Sequence, residues 1–74
     1  MSMDYIRRAY GVPAKRGGRV RYYGAGIDEF GVIVSARNGR IRVRLDRKTV
    51  RGQAVVFNLH PTWALEYLKP PNVG

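Results

Sequence analysis

Arginine recurs at alternate positions along one stretch of this chain, a spacing that suits the binding of phosphate groups. Arg40, Arg42 and Arg44 occupy every second position, and side chains two residues apart on a β-strand point to the same side. A guanidinium group is planar, always charged and able to donate two parallel hydrogen bonds to a phosphate. The spacing therefore predicts a row of phosphate-binding groups on one face of a strand.

Further basic and aromatic side chains are expected to extend this row. The candidate phosphate contacts are Arg19, Arg21, Arg37, Arg40, Arg42 and Arg44, with Tyr23 as a base-stacking residue and Lys15, Arg16, Arg47 and Lys48 enlarging the positive field from flanking loops. The alternative is structural. Arginine stems would then cover apolar surface with their charged ends in solvent, and Tyr23 would pack against the N-terminal segment.

The charge balance points to a polyanionic partner. The chain has 14 Lys+Arg against 5 Asp+Glu, a net charge of +9 on 74 residues, and such a field attracts nucleic acid. RNA, single-stranded DNA and duplex DNA fit this charge equally well, and so does an acidic protein. A basic surface that is merely solvated is the remaining interpretation.

Catalytic and metal-binding candidates are few. The chain has no cysteine and one histidine, His60, whereas a catalytic histidine needs a nucleophile or pocket and an orienting group. We expect His60 and Thr62 to satisfy backbone groups of a turn and Trp63 to fill one end of the fold. The sequence therefore predicts no catalytic site, metal, cofactor or small-molecule substrate.

The adjacent acids Asp28 and Glu29 are not a catalytic pair. Neighbouring side chains on a strand point in opposite directions, so the two carboxylates would not face one reacting group. We expect them in a loop, solvated or forming ion pairs with Arg16 or Arg51.

The stretch that positions the arginine row reads as a β-hairpin. Asn38-Gly39 joins two apolar-alternating runs, and this dipeptide accepts the positive φ angles of a type I′ turn. A two-residue turn sets Arg37 opposite Arg40. On one face the predicted pairs are Ala36 with Ile41, Val34 with Val43 and Val32 with Leu45, while Ile33 and Ser35 share the other face with the arginines. One side of the hairpin is thus predicted to be core and the other basic.

The remaining elements complete one small all-β domain. We expect an N-terminal extension over 1–14 with a short helix at Asp4–Tyr10 carrying Tyr5, Ile6 and Tyr10 on its apolar side and ended by Gly11, a five-stranded SH3-like barrel over 15–68, and a flexible, disordered C-terminal tail over 69–74. The strands are predicted at Arg19–Tyr23, Phe30–Asn38, Gly39–Asp46, Gln53–Leu59 and Ala64–Leu68. In the fourth strand, either Val55 and Phe57 or Ala54 and Val56 face the core.

Part of the chain resembles the KOW/SH3-like small barrels of ribosomal proteins and transcription elongation factors. The resemblance lies in Gly17, Val20, Tyr22, Gly31, Val32, Val43 and Leu45 and the glycine-containing loop between the first two strands. It implies a small barrel that binds nucleic acid. The loop Gly24–Phe30 departs from the family because it looks longer than usual and is acidic at Asp28-Glu29.

A second resemblance is to small prophage-encoded proteins without an assigned activity. It rests on YGVPAKRGGRVRY (Tyr10–Tyr22), RVRLD (Arg42–Asp46) and HPTWALEYL (His60–Leu68), and it implies a phage setting with the same barrel-like architecture. The alternative function is therefore an SH3-like protein-interaction module or a phage-associated assembly factor that binds an acidic protein. An aromatic groove for that role would draw on Tyr22, Tyr23, Phe30, Trp63 and Tyr67.

The sequence also bears on where the protein acts. It contains no apolar run near the roughly 20 residues of a membrane span and no apolar stretch typical of a signal peptide at its start. We expect a cytoplasmic, monomeric protein without membrane association.

Overall fold

The structure, a computed structural model, describes residues 3–68 and contains one helix and five strands. The elements are α1 (Met3–Tyr10), β1 (Arg19–Tyr22), β2 (Glu29–Arg37), β3 (Arg40–Lys48), β4 (Ala54–Leu59) and β5 (Leu65–Tyr67). Every predicted helix and strand is present, with ends that differ from the prediction by at most two residues. The tail predicted at 69–74 lies outside the described residues.

All five strands belong to one antiparallel sheet with the order β4-β3-β2-β1-β5. The mostly-β class, the five strands and the short N-terminal helix are confirmed. The expected closed barrel is not observed, because no pairing within residues 3–68 joins the edge strands β4 and β5. Within the same residues, no helix is both long and apolar enough to span a membrane.

The turn of the central hairpin has the predicted geometry. Asn38 and Gly39 have φ angles of 53° and 76°, the left-handed conformation that a type I′ turn requires at both positions. The register next to the turn is also as predicted, with Arg37 opposite Arg40 and Ser35 opposite Arg42.

Farther from the turn, a β-bulge at Val34 shifts the register of β2. Ile33 is opposite Val43 and Gly31 opposite Leu45, so the predicted Val34–Val43 and Val32–Leu45 pairs are wrong. The extra residue reverses which side chains of β2 face the core. Ile33, which was expected on the arginine face, is therefore buried with 1% of its surface exposed.

Gly31 is required where the bulged strand approaches β3. A Cβ atom at this position would lie 2.6 Å from the carbonyl oxygen of Arg44 and 2.7 Å from a methyl group of Val43. Both distances are too short for any side chain, so glycine permits the close contact between the two backbones.

The core lies between the inner face of the sheet and the N-terminal segment. Its buried side chains are Ile6, Ala14, Val20, Ile33, Ile41, Val43, Leu45, Leu59 and Leu65. Strand β3 alternates strictly, with its odd-numbered positions 41, 43 and 45 buried. In β4, Val55 and Phe57 pack against this core and Val56 is 41% exposed, which settles the orientation that the sequence left open.

Helix α1 covers the core through Ile6, which is fully buried. Gly11 ends the helix as predicted, with a φ of 64° and its N–H donating to the carbonyl of Arg7 at 2.9 Å. Tyr10 packs against the core, whereas Tyr5 is 49% exposed and was wrongly placed on the apolar side.

The bulge can be tested with Ile33→Ala and Val34→Ala, which truncate neighbouring side chains. Because Ile33 is buried and Val34 only half-buried, Ile33→Ala should lower the free energy of unfolding by about 2–4 kcal/mol and Val34→Ala by less than about 1 kcal/mol. Urea denaturation measures both. If both variants lost the same free energy of unfolding, or Val34→Ala lost more, the result would support the predicted register, which has no bulge.

Candidate functional site

Four side chains, Arg37, Arg40, Arg42 and Arg44, lie on the outer face of the hairpin and are called here the hairpin arginines. The bulge changes the facing of β2 only, so β3 keeps its alternation and its arginines stay on the predicted side. All four are exposed. From Arg40 to Arg44 the row extends about 13 Å.

At the turn, three of these side chains, Arg37, Arg40 and Arg42, line an open depression of about 410 Å³. Its lining consists of Arg37, Asn38, Arg40, Arg42 and Asn58, and every one of these side chains carries N–H donors. Sequence reasoning missed Asn58. It joins the depression because it lies opposite Arg42, and its position depends on the β3–β4 register, for which the sequence contains no turn signal as clear as Asn-Gly.

The hairpin arginines have no hydrogen-bond or ion-pair partner within residues 3–68. The five side-chain carboxylates of the sequence are all engaged elsewhere: Asp4 by Arg7 and Arg8, Asp28 and Glu66 by Arg21, Glu29 by Arg47, and Asp46 by Arg19. The fold therefore neutralises some arginines and leaves a different group unmatched.

Arg19 lies on the same face as Arg44 but is neutralised. Its two terminal nitrogens donate to the two carboxylate oxygens of Asp46 at 2.7 and 2.6 Å. The pKa of Asp46 is lowered chiefly by these hydrogen bonds, and the charge of Arg44 lowers it further. The guanidinium group of Arg19, a predicted phosphate contact, is therefore already bound to a carboxylate within the fold.

Arg21 is likewise occupied, and it also covers Tyr23. It donates to Glu66 at 2.7 Å and to Asp28 at 3.0 Å, and its guanidinium carbon lies 4.9 Å from the centre of the Tyr23 ring. Tyr23 remains 48% exposed. Since it follows the end of β1 that pairs with Glu29, it lies about 26 Å along β2 from the hairpin turn.

Arg47 belongs to β3 rather than to a flanking loop. Its Nε donates to both carboxylate oxygens of Glu29 at 2.9 Å, and the Glu29 side chain is only 8% exposed. Hydrogen bonding to Arg47 lowers the pKa of Glu29. The predicted ion pairs of Asp28 and Glu29 with Arg16 or Arg51 are not formed within residues 3–68. Strand β3 continues two residues beyond Asp46 and brings Arg47 to Glu29 instead.

The other predicted basic residues are exposed but dispersed. Lys15 and Arg16 precede a short backbone pairing in which the N–H of Gly17 donates to the carbonyl of Ile33 at 2.8 Å. Lys48 ends β3, opposite Ala54. None of these cations lines the depression at the turn.

The turn before β5 has the structural role predicted for it. His60 Nδ1 accepts a hydrogen bond from the N–H of Thr62 at 3.1 Å, and the His60 ring meets Tyr10 edge-on at 5.3 Å. Trp63, however, does not fill the end of the fold. It is 60% exposed and lies over Gly24 beside Tyr22.

Comparison of the chain with protein-family models, with curated proteins and with solved structures finds no match in any of the three. In residues 3–68, no three histidine, aspartate or glutamate side chains are grouped in a way that could hold a metal ion.

The acid stability of the fold tests the Glu29–Arg47 pair. A carboxylate whose pKa is lowered by folding stabilises the protein fully above its unfolded pKa, here 4.5, and loses that contribution as the pH falls through the folded value. Glu29→Gln should therefore flatten the decline in unfolding free energy below pH 4.5. Urea denaturation at several pH values measures the slope.

A matched pair of variants serves as the control. Arg47→Gln leaves Glu29 covered without its cation and should destabilise the protein near neutral pH, whereas Arg51→Gln removes an exposed charge and should not. The Glu29–Arg47 ion pair would be contradicted if the unfolding free energy of Glu29→Gln fell with decreasing pH as steeply as that of the unsubstituted protein, and if the two arginine variants were equally stable.

Proposed function

We propose that this protein is a non-catalytic nucleic-acid-binding module whose hairpin arginines contact phosphate oxygens. The observation that carries the proposal is the division of the basic residues. Every side-chain carboxylate is paired with another arginine, while the side chains of the four hairpin arginines form no hydrogen bond or ion pair in residues 3–68.

Electrostatic repulsion within the row favours an external anion. Arg37 and Arg40 are directly opposite, and like charges in that arrangement destabilise a sheet by a few tenths of a kcal/mol per pair. Arg42 and Arg44 follow at intervals of about 6.6 Å. Phosphate groups bound between neighbouring arginines offset the repulsion between them, and the nucleic acid releases condensed counterions.

The shape of the site suits a backbone rather than a single phosphate. The row of about 13 Å matches the rise of roughly four nucleotides at 3.4 Å each. Contacts to phosphates fix position and orientation but carry no direct sequence information. The proposed binding is accordingly weak in sequence preference, and its phosphate contacts are available from RNA and DNA alike.

A protein-interaction module is the second candidate, supported by exposed aromatic side chains at the end of the sheet opposite the hairpin arginines. Trp63 and Tyr23 are 60% and 48% exposed, and Ile27, in the loop between β1 and β2, is 65% exposed. The N–H of Tyr23 donates to the carbonyl of Ala64 at 2.9 Å, which holds the two aromatic segments together. An SH3-like or phage assembly role would use this end of the sheet.

Fluorescence anisotropy of labelled duplex DNA, single-stranded DNA and RNA across a salt series tests the proposed function. Four phosphate contacts predict a slope of log affinity against log salt of about −3 to −4. Arg40→Gln/Arg42→Gln should weaken binding by about 30- to 100-fold at low salt and reduce the slope by about 2.

The matched control is Arg8→Gln/Arg51→Gln, which removes the same net charge from exposed positions off the hairpin face. It should change affinity by less than about threefold. Equal losses in the two double variants would assign binding to net charge alone. No binding of any of the three probes at low salt would overturn the proposed function.

A further inference from the structure

Strand β4 is an edge of the sheet with unusual chemistry for this protein. Its sequence, AVVFNL, contains no ionisable side chain, whereas each of the other four strands contains at least one. Natural edge strands are commonly protected by charges or proline, because a bare edge is a template for another strand. β4 has neither form of protection.

The hydrogen-bonding groups at this edge follow from the hairpin turn. In a two-residue hairpin the flanking residues, Arg37 and Arg40, bond to each other, so Ile41 and Val43 direct their backbone groups toward β4. The β3–β4 register shifts beyond Arg44, so the directions along β4 follow from the alternation of β4 itself. Ile41 and Val43 are opposite Leu59 and Phe57. The backbone groups of Ala54, Val56 and Asn58 therefore point away from β3, and no other backbone bond is made by β4 within residues 3–68.

We propose that two copies of this chain associate by antiparallel pairing of their β4 strands. A two-fold axis perpendicular to the sheet keeps the outer faces of both copies on one side. Each β4 residue must then pair with a residue of the second copy whose side chain lies on the same face, that is, an even-numbered residue with an even-numbered one. Centring the axis on Val56 meets this condition. Val56 then exchanges both backbone bonds with its own counterpart, and Ala54 pairs with Asn58 of the second copy.

Charge repulsion between two copies is smallest when they associate through this edge. Each copy carries +9, so close approach of the arginine faces is repulsive. Pairing through β4 leaves the two β3 strands three strand spacings apart, about 14 Å, beyond the Debye length of about 8 Å at physiological salt. The other edge is less suitable, since β5 has three residues and its Glu66 is bound by Arg21.

The side chains at the edge add apolar contact on both faces. Val56 is 41% exposed on the outer face, and half-buried Val55 and Phe57 lie on the inner face. A second β4 would cover part of each. The interface is short, so association in the micromolar range is expected rather than an obligate dimer. It replaces the monomer predicted from sequence and does not depend on nucleic-acid binding.

Sedimentation equilibrium of the protein alone, from about 5 to about 500 µM, tests the inference. The mass should rise from 8.4 kDa to twice that value and no further. Because the copies repel, the association should strengthen as salt is raised. The backbone amides of Val56 and Asn58 should also become protected from hydrogen exchange as concentration increases.

Val56→Lys places a cation against its counterpart and should weaken association at least tenfold, while Val50→Lys, which adds the same charge at a fully exposed turn position, should not. Ala54→Lys is a second edge variant, should Val56→Lys lose its circular dichroism. A protein that stays monomeric throughout, equal effects of Val50→Lys and Val56→Lys, or assemblies larger than dimers would overturn the proposal.

Discussion

The extra residue at Val34 determines how one hairpin serves both the core and a basic surface. Next to the turn, β2 pairs with β3 so that Arg37 faces Arg40. Beyond the bulge, the facing of β2 is reversed, and Ile33 enters the core opposite Val43. From Arg40 to Arg44, β3 pairs regularly with both neighbours, so its arginines remain outside; its register with β4 shifts only beyond Arg44. The N-terminal segment attaches at the same place, since Ile33 exchanges backbone hydrogen bonds with Gly17 and Gly18.

The distribution of the few acidic side chains then decides which arginines are available. Asp46 lies where it neutralises Arg19, and Glu29 is covered by Arg47. An exposed ion pair such as Arg19–Asp46 contributes little stability. The shared effect of the two pairs is to neutralise particular arginines, while the side chains of the hairpin arginines stay without an ion pair in residues 3–68. The positive charge of the outer face that is not ion-paired within residues 3–68 therefore includes all four hairpin arginines.

Local sequence signals predicted most helices, strands and turns. Features that depend on how neighbouring strands are aligned, such as the bulge and the ion-pair partners, could not be predicted from the sequence. Asn38-Gly39 and Gly11 have conformational requirements that few other residues meet, so the turn and the helix end were predictable. The bulge at Val34 has no such signature, because Ile33 and Val34 are both apolar and β-branched and suit the core equally. Partners such as Arg47 for Glu29 follow from where β3 ends, and strand ends are among the least certain features of a sequence.

The division between occupied and unoccupied arginines can be measured directly at the side chains. In an NMR titration with a short duplex, the Nε–H resonances of Arg40 and Arg42 should shift and broaden from the first additions. Those of Arg21 and Arg47, already bonded to carboxylates through Nε, should change little. Equal shifts of all four resonances, or shifts confined to Arg21 and Arg47, would contradict the assignment of the hairpin face as the phosphate-binding surface.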